Sequence, residues 1–426
     1  MRNLWKALCA CTLVFMCTFI LGAGMKAEAA APDKVQGVRQ TDAETGSIRI
    51  EWDAVIGNDI EYKVELCASR NFSGGIQDNL SYSGKSGTTN TSCSFTGLTP
   101  GKAYYVRVTA FHNSNYPNYI HTYGASSDVL QVVTKPNNKV TNFRQTKAAV
   151  DSITVTWNKA AGANAYRIEW WKEGSGGRES AKKVVEVGNV NSYKAKKLTK
   201  NEEYQFWIYP INKSEKGYKA VGEYKWEYIS RVPTLPTKIT GLDCEFWSEV
   251  SNYLELSYDK RASEDGIQYE IYEEKGKKPI IKGTWKTCSL DPYFSYKKLK
   301  GYQFRKLRVR SYIDIGGKRK YGEWSDWEYF ARQPKVKAKK ASGGIKLSWS
   351  KIKGAKDYTV YASTKEKSGY KKFKTTKNTS IVLTKCGNSK LKNNKTYYYY
   401  VVANKKVGKK TYKSDEICVW YSLYKK

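Results

Sequence analysis

The first copy of the pattern that decides the fold begins with Ser47-Ile48-Arg49-Ile50-Glu51-Trp52, an alternating run that ends on an aromatic residue. A second run, Tyr62-Lys63-Val64-Glu65-Leu66, starts with tyrosine and alternates in the same way. The pattern closes on Leu98, which Tyr104 follows six residues later. Alternation with a period of two is typical of strands that bury one face. This stretch therefore predicts a small β-sandwich.

The same three-part pattern returns about every 100 residues along the chain of 426 residues. The second and fourth copies contain the matching residues Trp157, Tyr166, Leu198 and Tyr204, and Trp349, Tyr358, Leu391 and Tyr397. In the third copy Tyr258 replaces the tryptophan, and Leu299 is followed by Tyr302 after only three residues. We predict an all-β chain of four tandem antiparallel β-sandwiches in an elongated array. The predicted repeats are residues 32–136, 137–233, 234–333 and 334–426, of which the third is divergent and the fourth is lysine-rich.

Residues 1–31 have a different character. Arg2 and Lys6 precede an apolar run over residues 7–24, and Ala27-Glu28-Ala29 follows as a small-x-small cleavage site. This order is typical of a secretory signal peptide. A retained anchor helix is the alternative, although the run is short for crossing a bilayer. We predict that the segment is removed, that the mature chain has no transmembrane span, and that the protein is secreted, extracellular or associated with the cell surface.

The cysteines outside the signal segment occur as two in each of repeats one, three and four. An oxidising compartment permits bridges, so this distribution predicts a disulfide bond within each of those repeats. The predicted pairs are Cys67 with Cys93, Cys244 with Cys288, and Cys386 with Cys418. Buried free thiols are the alternative, because spacing alone does not bring two Cβ atoms together.

The net charge of +34 is concentrated at one end of the chain. The fourth repeat contains 25 lysines and four acidic residues, whereas the first contains nine basic and ten acidic residues. A field of that size attracts polyanions. We predict docking on an anionic wall polymer or glycan through two groups of lysines, with a solubilising surface as the alternative. The first group, Lys372 and Lys374, is expected beside Tyr361, Tyr398 and Tyr400; the second is a hairpin with Lys405, Lys406, Lys409, Lys410 and Lys413.

The aromatic of the second strand, the tyrosine-led third strand and the leucine-to-tyrosine spacing resemble fibronectin type III repeats over residues 32–426. The resemblance implies three core tryptophans, Trp52, Trp157 and Trp349. It also implies corner tyrosines whose hydroxyls bond nearby backbone, namely Tyr104, Tyr204 and Tyr397, and a shortened or absent corner in the third repeat. The lysine-rich last repeat resembles those of proteins exported by Gram-positive anaerobes, in which such repeats serve as spacers and binding modules.

Exposed aromatics offer two candidate glycan sites. In the second repeat, strand parity turns Trp171, Trp207 and Tyr209 outward, and the family's strand order places them on one face. In the first repeat, a long loop carries Tyr116 and Tyr119 beside asparagines, a composition typical of contact loops. The alternative for both is that the rings cover a core or a neighbouring repeat.

The third repeat contains Gly322-Glu323-Trp324-Ser325-Asp326-Trp327-Glu328, which resembles the Trp-Ser-x-Trp-Ser box of cytokine receptor repeats. Arg308 and Arg310 share one face of a predicted strand. We therefore expect their guanidinium groups to stack on the two indoles as a structural element.

A catalytic function is not favoured. The chain has two histidines, His112 and His121, and no evident set of nucleophile and base. Two histidines in one loop fall short of the ligands that zinc requires. We predict no catalytic residues, no cofactor and no metal, and hence a non-enzymatic adhesion or binding array. Its partners would be an anionic polymer or glycan, or another surface protein, whereas export does not favour nucleic acid. The alternatives are a pure structural spacer and a glycan-binding accessory protein of a polysaccharide-degrading system.

Overall fold

The computed structural model describes residues 30–79, 86–113, 120–175, 182–224, 232–246, 253–286, 293–295, 299, 301–416 and 419–425. Its regular elements in these ranges are β-strands, as the alternating sequence predicts. The described residues contain no helix that is long and apolar enough to cross a membrane. The predicted signal peptide lies almost entirely outside these ranges.

In the first sandwich the described strands are β1 Arg39–Ala43, β2 Ile48–Glu51, β3 Ile60–Cys67, β4 Ile76–Asp78, β5 Ser92–Phe95, β6 Ala103–Asn113, β7 His121–Tyr123 and β8 Leu130–Val133. A small sheet has the order β1-β2-β5, and a larger sheet has the order β4-β3-β6-β7, with β8 also paired to β6. The described pairings are antiparallel. This is the two-sheet arrangement that the repeat pattern predicts.

In the second sandwich the described strands are β9 Thr141–Ala149, β10 Ser152–Asn158, β11 Ala165–Lys172, β12 Lys183–Val187, β13 Ser192–Ala195, β14 Glu203–Lys213, β15 Lys219–Val221 and β16 Val232–Pro233. The small sheet has the order β13-β10-β9 and the larger β12-β11-β14-β15, with β16 on β14. The topology of the first sandwich is therefore repeated.

In the third sandwich the described strands are β17 Asp243–Phe246, β18 Tyr253–Ser257, β19 Gly266–Glu273, β20 Ile281–Lys286, β21 Tyr293–Ser295, β22 Arg305–Ile315, β23 Lys318–Tyr321 and β24 Glu328–Phe330. They form the sheets β17-β18-β21 and β20-β19-β22-β23, with β24 on β22. The divergent repeat keeps the common topology.

In the fourth sandwich the described strands are β25 Val336–Ala341, β26 Gly344–Trp349, β27 Asp357–Ser363, β28 Lys371–Thr376, β29 Ser380–Leu383, β30 Lys385–Cys386, β31 Ser389–Lys390, β32 Lys395–Val407, β33 Lys410–Lys413 and β34 Trp420–Tyr424. The sheets are β25-β26-β29 and β28-β27-β32-β33, with β34 on β32, and β30 pairs with β31 as a hairpin.

Contacts divide the chain into two compact units. One contains the chain up to Lys135 together with Lys213–Ala220, and the other contains Pro136–Asn212 together with Val221–Lys426. Within the first unit, Ala220 packs in an apolar cluster with Ala43 and Val133. The turn between β14 and β15 therefore belongs to the first unit by its contacts.

A tryptophan and a tyrosine in edge or tilted contact occupy the centre of three cores. The ring centroids of Trp52 and Tyr62 are 5.3 Å apart, those of Trp157 and Tyr166 5.4 Å, and those of Trp349 and Tyr358 5.6 Å. The three indoles are buried, as the sequence predicts. Deleting a buried ring of this size typically costs about 3–5 kcal/mol.

In the third core a polar contact takes the place of the tryptophan–tyrosine pair. Tyr258, which stands at the tryptophan position, donates its hydroxyl to the buried Glu264 at 2.9 Å. Ser311 donates to the other oxygen of the same carboxylate at 2.6 Å. Two donors satisfy a carboxylate that would otherwise be costly to bury.

The tyrosine corners predicted in repeats one, two and four are confirmed. The hydroxyls of Tyr104, Tyr204 and Tyr397 accept hydrogen bonds from the backbone N–H groups of Thr99, Thr199 and Lys392, at 2.8, 2.7 and 2.8 Å. In the third repeat the residue six positions after Leu299 is Arg305, which is buried and pairs with Glu273 at 3.3 Å. Among the residues described in this repeat, no tyrosine hydroxyl forms such a corner, and Tyr302 is exposed.

The predicted bridge between Cys67 and Cys93 is wrong, because both thiols are free. Leu66 packs in the core, so its neighbour Cys67 points away from the core. Cys93 packs against that core from the other sheet. The two sulfurs are therefore on opposite sides of a sheet. Cys244 and Cys386 are also free thiols, and their predicted partners, Cys288 and Cys418, lie outside the described residues.

Replacing the corner residue in Tyr204→Phe should lower the free energy of unfolding by about 1–3 kcal/mol, because the Thr199 N–H loses its acceptor. Tyr302→Phe is the matched control, because its exposed ring makes no described hydroxyl contact. Urea unfolding of the whole chain measures both. Equal destabilisation by the two variants would show that the corner hydrogen bond has no special role.

Candidate functional site

The larger sheet of each sandwich has one face on the core and one turned away from it, which we call the outer face. On β3 the core residues alternate with Glu65, which lies on the outer face. The same strand position in the other sandwiches, three residues after the first core residue, is Glu169, Glu270 or Tyr361. This position shows how each outer face is built.

The outer face of the first sandwich is closed by ion pairs. Arg107 and Lys63 contact the carboxylate of Glu65 at 2.8 and 3.1 Å, and the Arg107 guanidinium lies 4.4 Å from the ring of Phe72. Burial acts to raise the pKa of Glu65, but the hydrogen bonds and charges of Arg107 and Lys63 outweigh it and lower the pKa. The carboxylate is therefore stabilised in its charged form.

In the second sandwich, Glu169 is buried beside Arg167 at 3.3 Å, and the Arg167 guanidinium lies 4.4 Å from the ring of Tyr209. Tyr224 also contacts Tyr209, with 5.2 Å between ring centroids. The expectation that Tyr209 is an exposed part of a glycan platform is wrong, since it is only 7% exposed. Tyr209 does point away from the core, as strand alternation predicts, but neighbouring side chains cover its ring.

Trp171 and Trp207 do come together, with their ring centroids 5.2 Å apart and nearly perpendicular. Tyr224 also stacks on Trp207, with 4.1 Å between the ring centroids. Both indoles are half-buried. A partly exposed edge of this aromatic cluster is what remains for stacking on a sugar, and glycan binding there stays a prediction.

The outer face of the third sandwich is a stack of alternating rings and guanidinium groups, as the sequence predicts. Arg310 lies 4.0 Å from the ring of Tyr321 and 4.4 Å from that of Trp324. Arg308 lies 4.3 Å from Trp324 and 5.0 Å from Trp327. Glu270 pairs with Arg308 at 2.7 Å. Arg308 and Arg310 thus interact with aromatic rings of their own sandwich, and Arg308 also pairs with a carboxylate of that sandwich.

The fourth sandwich departs from this scheme. Tyr361 occupies the glutamate position and stacks on Tyr400 at 4.9 Å, while Tyr370 contacts Tyr400 at 5.0 Å. Burial, with smaller contributions that include Glu416, raises the pKa of Tyr400 to about 12. The outer side of this strongly basic repeat thus carries stacked tyrosines where the other three repeats carry a glutamate paired with an arginine.

Lysines border this face as predicted. Lys372 is exposed and directly opposite Tyr361, and Lys374 is exposed opposite Val360 across a bulge. Val360 and Tyr399, which alternate with these outward residues, lie in the core, and Phe373 packs against it. The sequence reasoning missed Tyr370 and Tyr421, the latter 71% exposed and in contact with Tyr398 at 6.0 Å. The register of β34 against β32 is what brings Tyr421 there.

The lysine hairpin formed by β32 and β33 is only partly exposed. Lys405 is buried and forms an ion pair with Glu274 of the third sandwich. Lys410 pairs with Glu328 of the third sandwich at 3.0 Å, and Lys413 pairs with Glu416 at 3.5 Å. The expectation that Lys405 faces a polyanion is therefore wrong. Lys406 and Lys409 are exposed, as expected.

The third and fourth sandwiches share apolar packing at this junction. Phe304 precedes β22 but lies fully buried in the core cluster of the fourth sandwich. Tyr329 and Tyr412 contact each other at 4.9 Å, and the backbone N–H of Asp415 donates to the carbonyl of Ala331 at 3.1 Å. Both lysine ion pairs to the third sandwich lie beside this packing. The fourth sandwich is therefore completed by residues that its own sequence repeat does not contain.

A cleft of about 460 Å³ at the same junction is lined by Cys244, Glu328, Lys410 and Tyr412 among others. Burial raises the pKa of the Cys244 thiol well above its usual range and also raises that of Glu328. A nucleophilic cysteine needs a lowered pKa. The electrostatics of this cleft are thus opposite to those of an activated thiol.

The candidate loop residues Tyr116 and Tyr119 lie outside the described residues. At the described end of that loop, His121 stacks on Phe111 at 4.7 Å, and its Nδ1 is 2.8 Å from the hydroxyl of Tyr123. Ring contacts of this kind account for the position of His121.

Trp207→Ala should lower the free energy of unfolding more than Trp171→Ala, because Trp207 contacts both Tyr224 and Trp171. Each lost aromatic contact is worth about 0.5–1.5 kcal/mol beyond the lost area. Thermal unfolding measures this order, and a glycan array measures binding by the same variants. Equal losses of stability would contradict the stacking described. If both variants bind every glycan that the wild type binds, the aromatic cluster is not a glycan site.

Lys405→Gln should lower the free energy of unfolding by about 3 kcal/mol, because breaking a buried ion pair leaves Glu274 without its partner. Lys406→Gln is the matched control one residue away and should change stability little. Urea unfolding of the whole chain distinguishes them. A Lys405 variant as stable as the Lys406 variant would show that the junction does not depend on this ion pair.

Comparison with known proteins gives matches to a protein family and to solved structures. A family model described as the fibronectin type III domain matches residues 33–120 and 138–222, which correspond to the first two sandwiches. Among solved structures, the chicken CNTN1 FN1-FN3 domains match at 17% identity with a TM-score of 0.26, over 70% of this chain and 98% of that chain. No curated protein matches the chain.

Proposed function

This chain is a tandem fibronectin type III repeat protein, and we propose that it is a non-enzymatic binding array whose fourth repeat docks on an anionic cell-surface polymer. The observation that carries the proposal is the surplus of 25 lysines over four acidic residues in that repeat. Among its described residues, every lysine except Lys405 is exposed. A surface of this kind concentrates polyanions and releases their counterions.

The distribution of ion pairs supports the same interpretation. The pairs of Lys405 and Lys410 use glutamates of the third repeat, so they join repeats and do not neutralise the fourth repeat from within. The outer faces of the first three repeats, by contrast, pair their arginines with their own glutamates. This contrast favours a spacer role for the earlier repeats and a docking role for the last one.

Export is part of the proposal. Tandem fibronectin type III domains are typical of extracellular and surface proteins, and the first 31 residues have the order of a signal peptide. An anionic wall polymer or an acidic glycan is then the polyanion that the repeat meets. A pure structural spacer remains the alternative function, since nothing in a sandwich array requires a ligand.

The whole chain should bind an immobilised polyanion at low salt and elute as ionic strength rises, because attraction between exposed charges is screened over about 8 Å at physiological salt. Changing Lys372, Lys374, Lys406 and Lys409 to Gln should lower the eluting salt concentration. The matched control changes four exposed lysines of the second repeat, Lys159, Lys194, Lys196 and Lys200, to Gln.

Both variants lose the same net charge, so a difference between them reports where the polymer binds. Circular dichroism verifies that both remain folded. Equal retention of the two variants would show that binding follows net charge alone, and no retention of the wild-type chain at low salt would leave only the spacer function.

A further inference from the structure

A third lysine group lies on the small sheet of the fourth sandwich, away from the residues discussed above. Ala338, Ile345 and Leu347 pack toward the core of this sheet. Lys337 and Lys339 on β25 and Lys346 on β26 alternate with them, so all three point outward, and all three are exposed. We call these residues the lysine row.

Lys339 and Lys346 are direct partners across the strand pair. Like charges directly opposite each other destabilise a sheet. Lys337 is opposite Ser348, which carries no charge. Within the described part of the chain, no ion pair involves a side chain of the lysine row. The sheet therefore holds an unfavourable arrangement that a bound anion would relieve.

In the first sandwich, acidic residues of the same repeat neutralise the cations on the corresponding small sheet. Arg39 and Arg49 lie on the matching strands β1 and β2 and contact Glu51 at 3.5 and 3.6 Å. Arg39 also contacts Asp53 at 3.1 Å. The acids flank Trp52, and the residues that flank the equivalent Trp349 are serines. The fourth repeat thus keeps the cations at these positions and lacks both acids.

We propose that the lysine row is a docking face for a linear polymer that has phosphodiester groups in its backbone and is not a nucleic acid. The inference rests on the proposed function and specifies where the polymer lies and which anion it carries. Lysines that share a face of one strand are about 6.6–6.8 Å apart, so a row can follow an extended chain. All 25 basic residues of the repeat are lysine. Lysine is a common phosphate ligand that acts as a point charge, and arginine, whose two-pronged geometry matches both carboxylates and phosphates, is absent from this repeat.

The test uses the whole chain and immobilised poly(glycerol phosphate). Changing Lys337, Lys339 and Lys346 together to Gln should weaken retention about 100-fold at constant salt, since each lysine near an anionic surface contributes about fivefold. The matched control changes Lys365, Lys367 and Lys392, which are exposed on loops of the same repeat, to Gln. The control should lose much less, and its dependence on salt should remain closer to that of the wild type.

Three outcomes would overturn the inference. Equal losses for the two triple variants would show that the lysine row is not the docking face. Stronger retention of the wild type on polygalacturonate of matched charge would contradict the preference for phosphate, and stronger retention on single-stranded DNA would point to a nucleic acid. If the wild type binds none of these polymers, the proposed function itself fails.

A stability measurement tests the premise separately. Lys346→Glu places an acid directly opposite Lys339, as in the neutralised sheet of the first sandwich. The melting temperature should rise while retention on poly(glycerol phosphate) falls further than in Lys346→Gln. A lower melting temperature for Lys346→Glu would show that the two lysines do not repel each other in the folded chain and would remove this part of the inference.

Discussion

The contact between a tryptophan near the end of one strand and a tyrosine near the start of the next is the constraint on which three of the four sandwiches depend. The pair joins the two sheets of a sandwich, as Trp52 and Tyr62 do in the first repeat. Because side chains alternate along a strand, fixing one ring in the core fixes the direction of every neighbour. A shift by one residue would turn the core set outward, so the aromatic pair also determines which residues meet solvent.

The strand position on the outer face, three residues after the first core residue, is occupied by different residue types in the four repeats. Glu65, Glu169 and Glu270 neutralise arginines of their own sandwiches, and aromatic rings pack over those arginines. At the same position the fourth repeat has Tyr361 in place of the glutamate, and on its small sheet serines flank Trp349 where acids flank Trp52. The same repeated frame with altered outward residues can thus present an ion-paired surface in one repeat and a cationic surface in another.

Strand parity and the aromatic spacing predicted the all-β fold, and the resemblance to fibronectin type III repeats implied the core tryptophans and the tyrosine corners. These features depend on residues that are close together in the sequence. The errors arose from contacts that parity does not describe. Tyr209 points outward but is covered by Arg167, and Lys405 meets a glutamate about 130 residues earlier in the sequence. Cys67 and Cys93 share a repeat, yet they face opposite sides of a sheet. Long-range partners of this kind have no local pattern from which they can be predicted.

The burial of Phe304 in the fourth core has a consequence for how such arrays can be rearranged. A gene segment that encodes only residues 334–426 would produce a sandwich with a gap where that ring belongs and with Lys405 separated from Glu274. If the basic repeat is duplicated or grafted elsewhere, the part of the third repeat that contains Glu274 and Phe304 must therefore be included. A segment that can be transferred and still fold at this end of the chain must therefore be longer than the sequence repeat of residues 334–426.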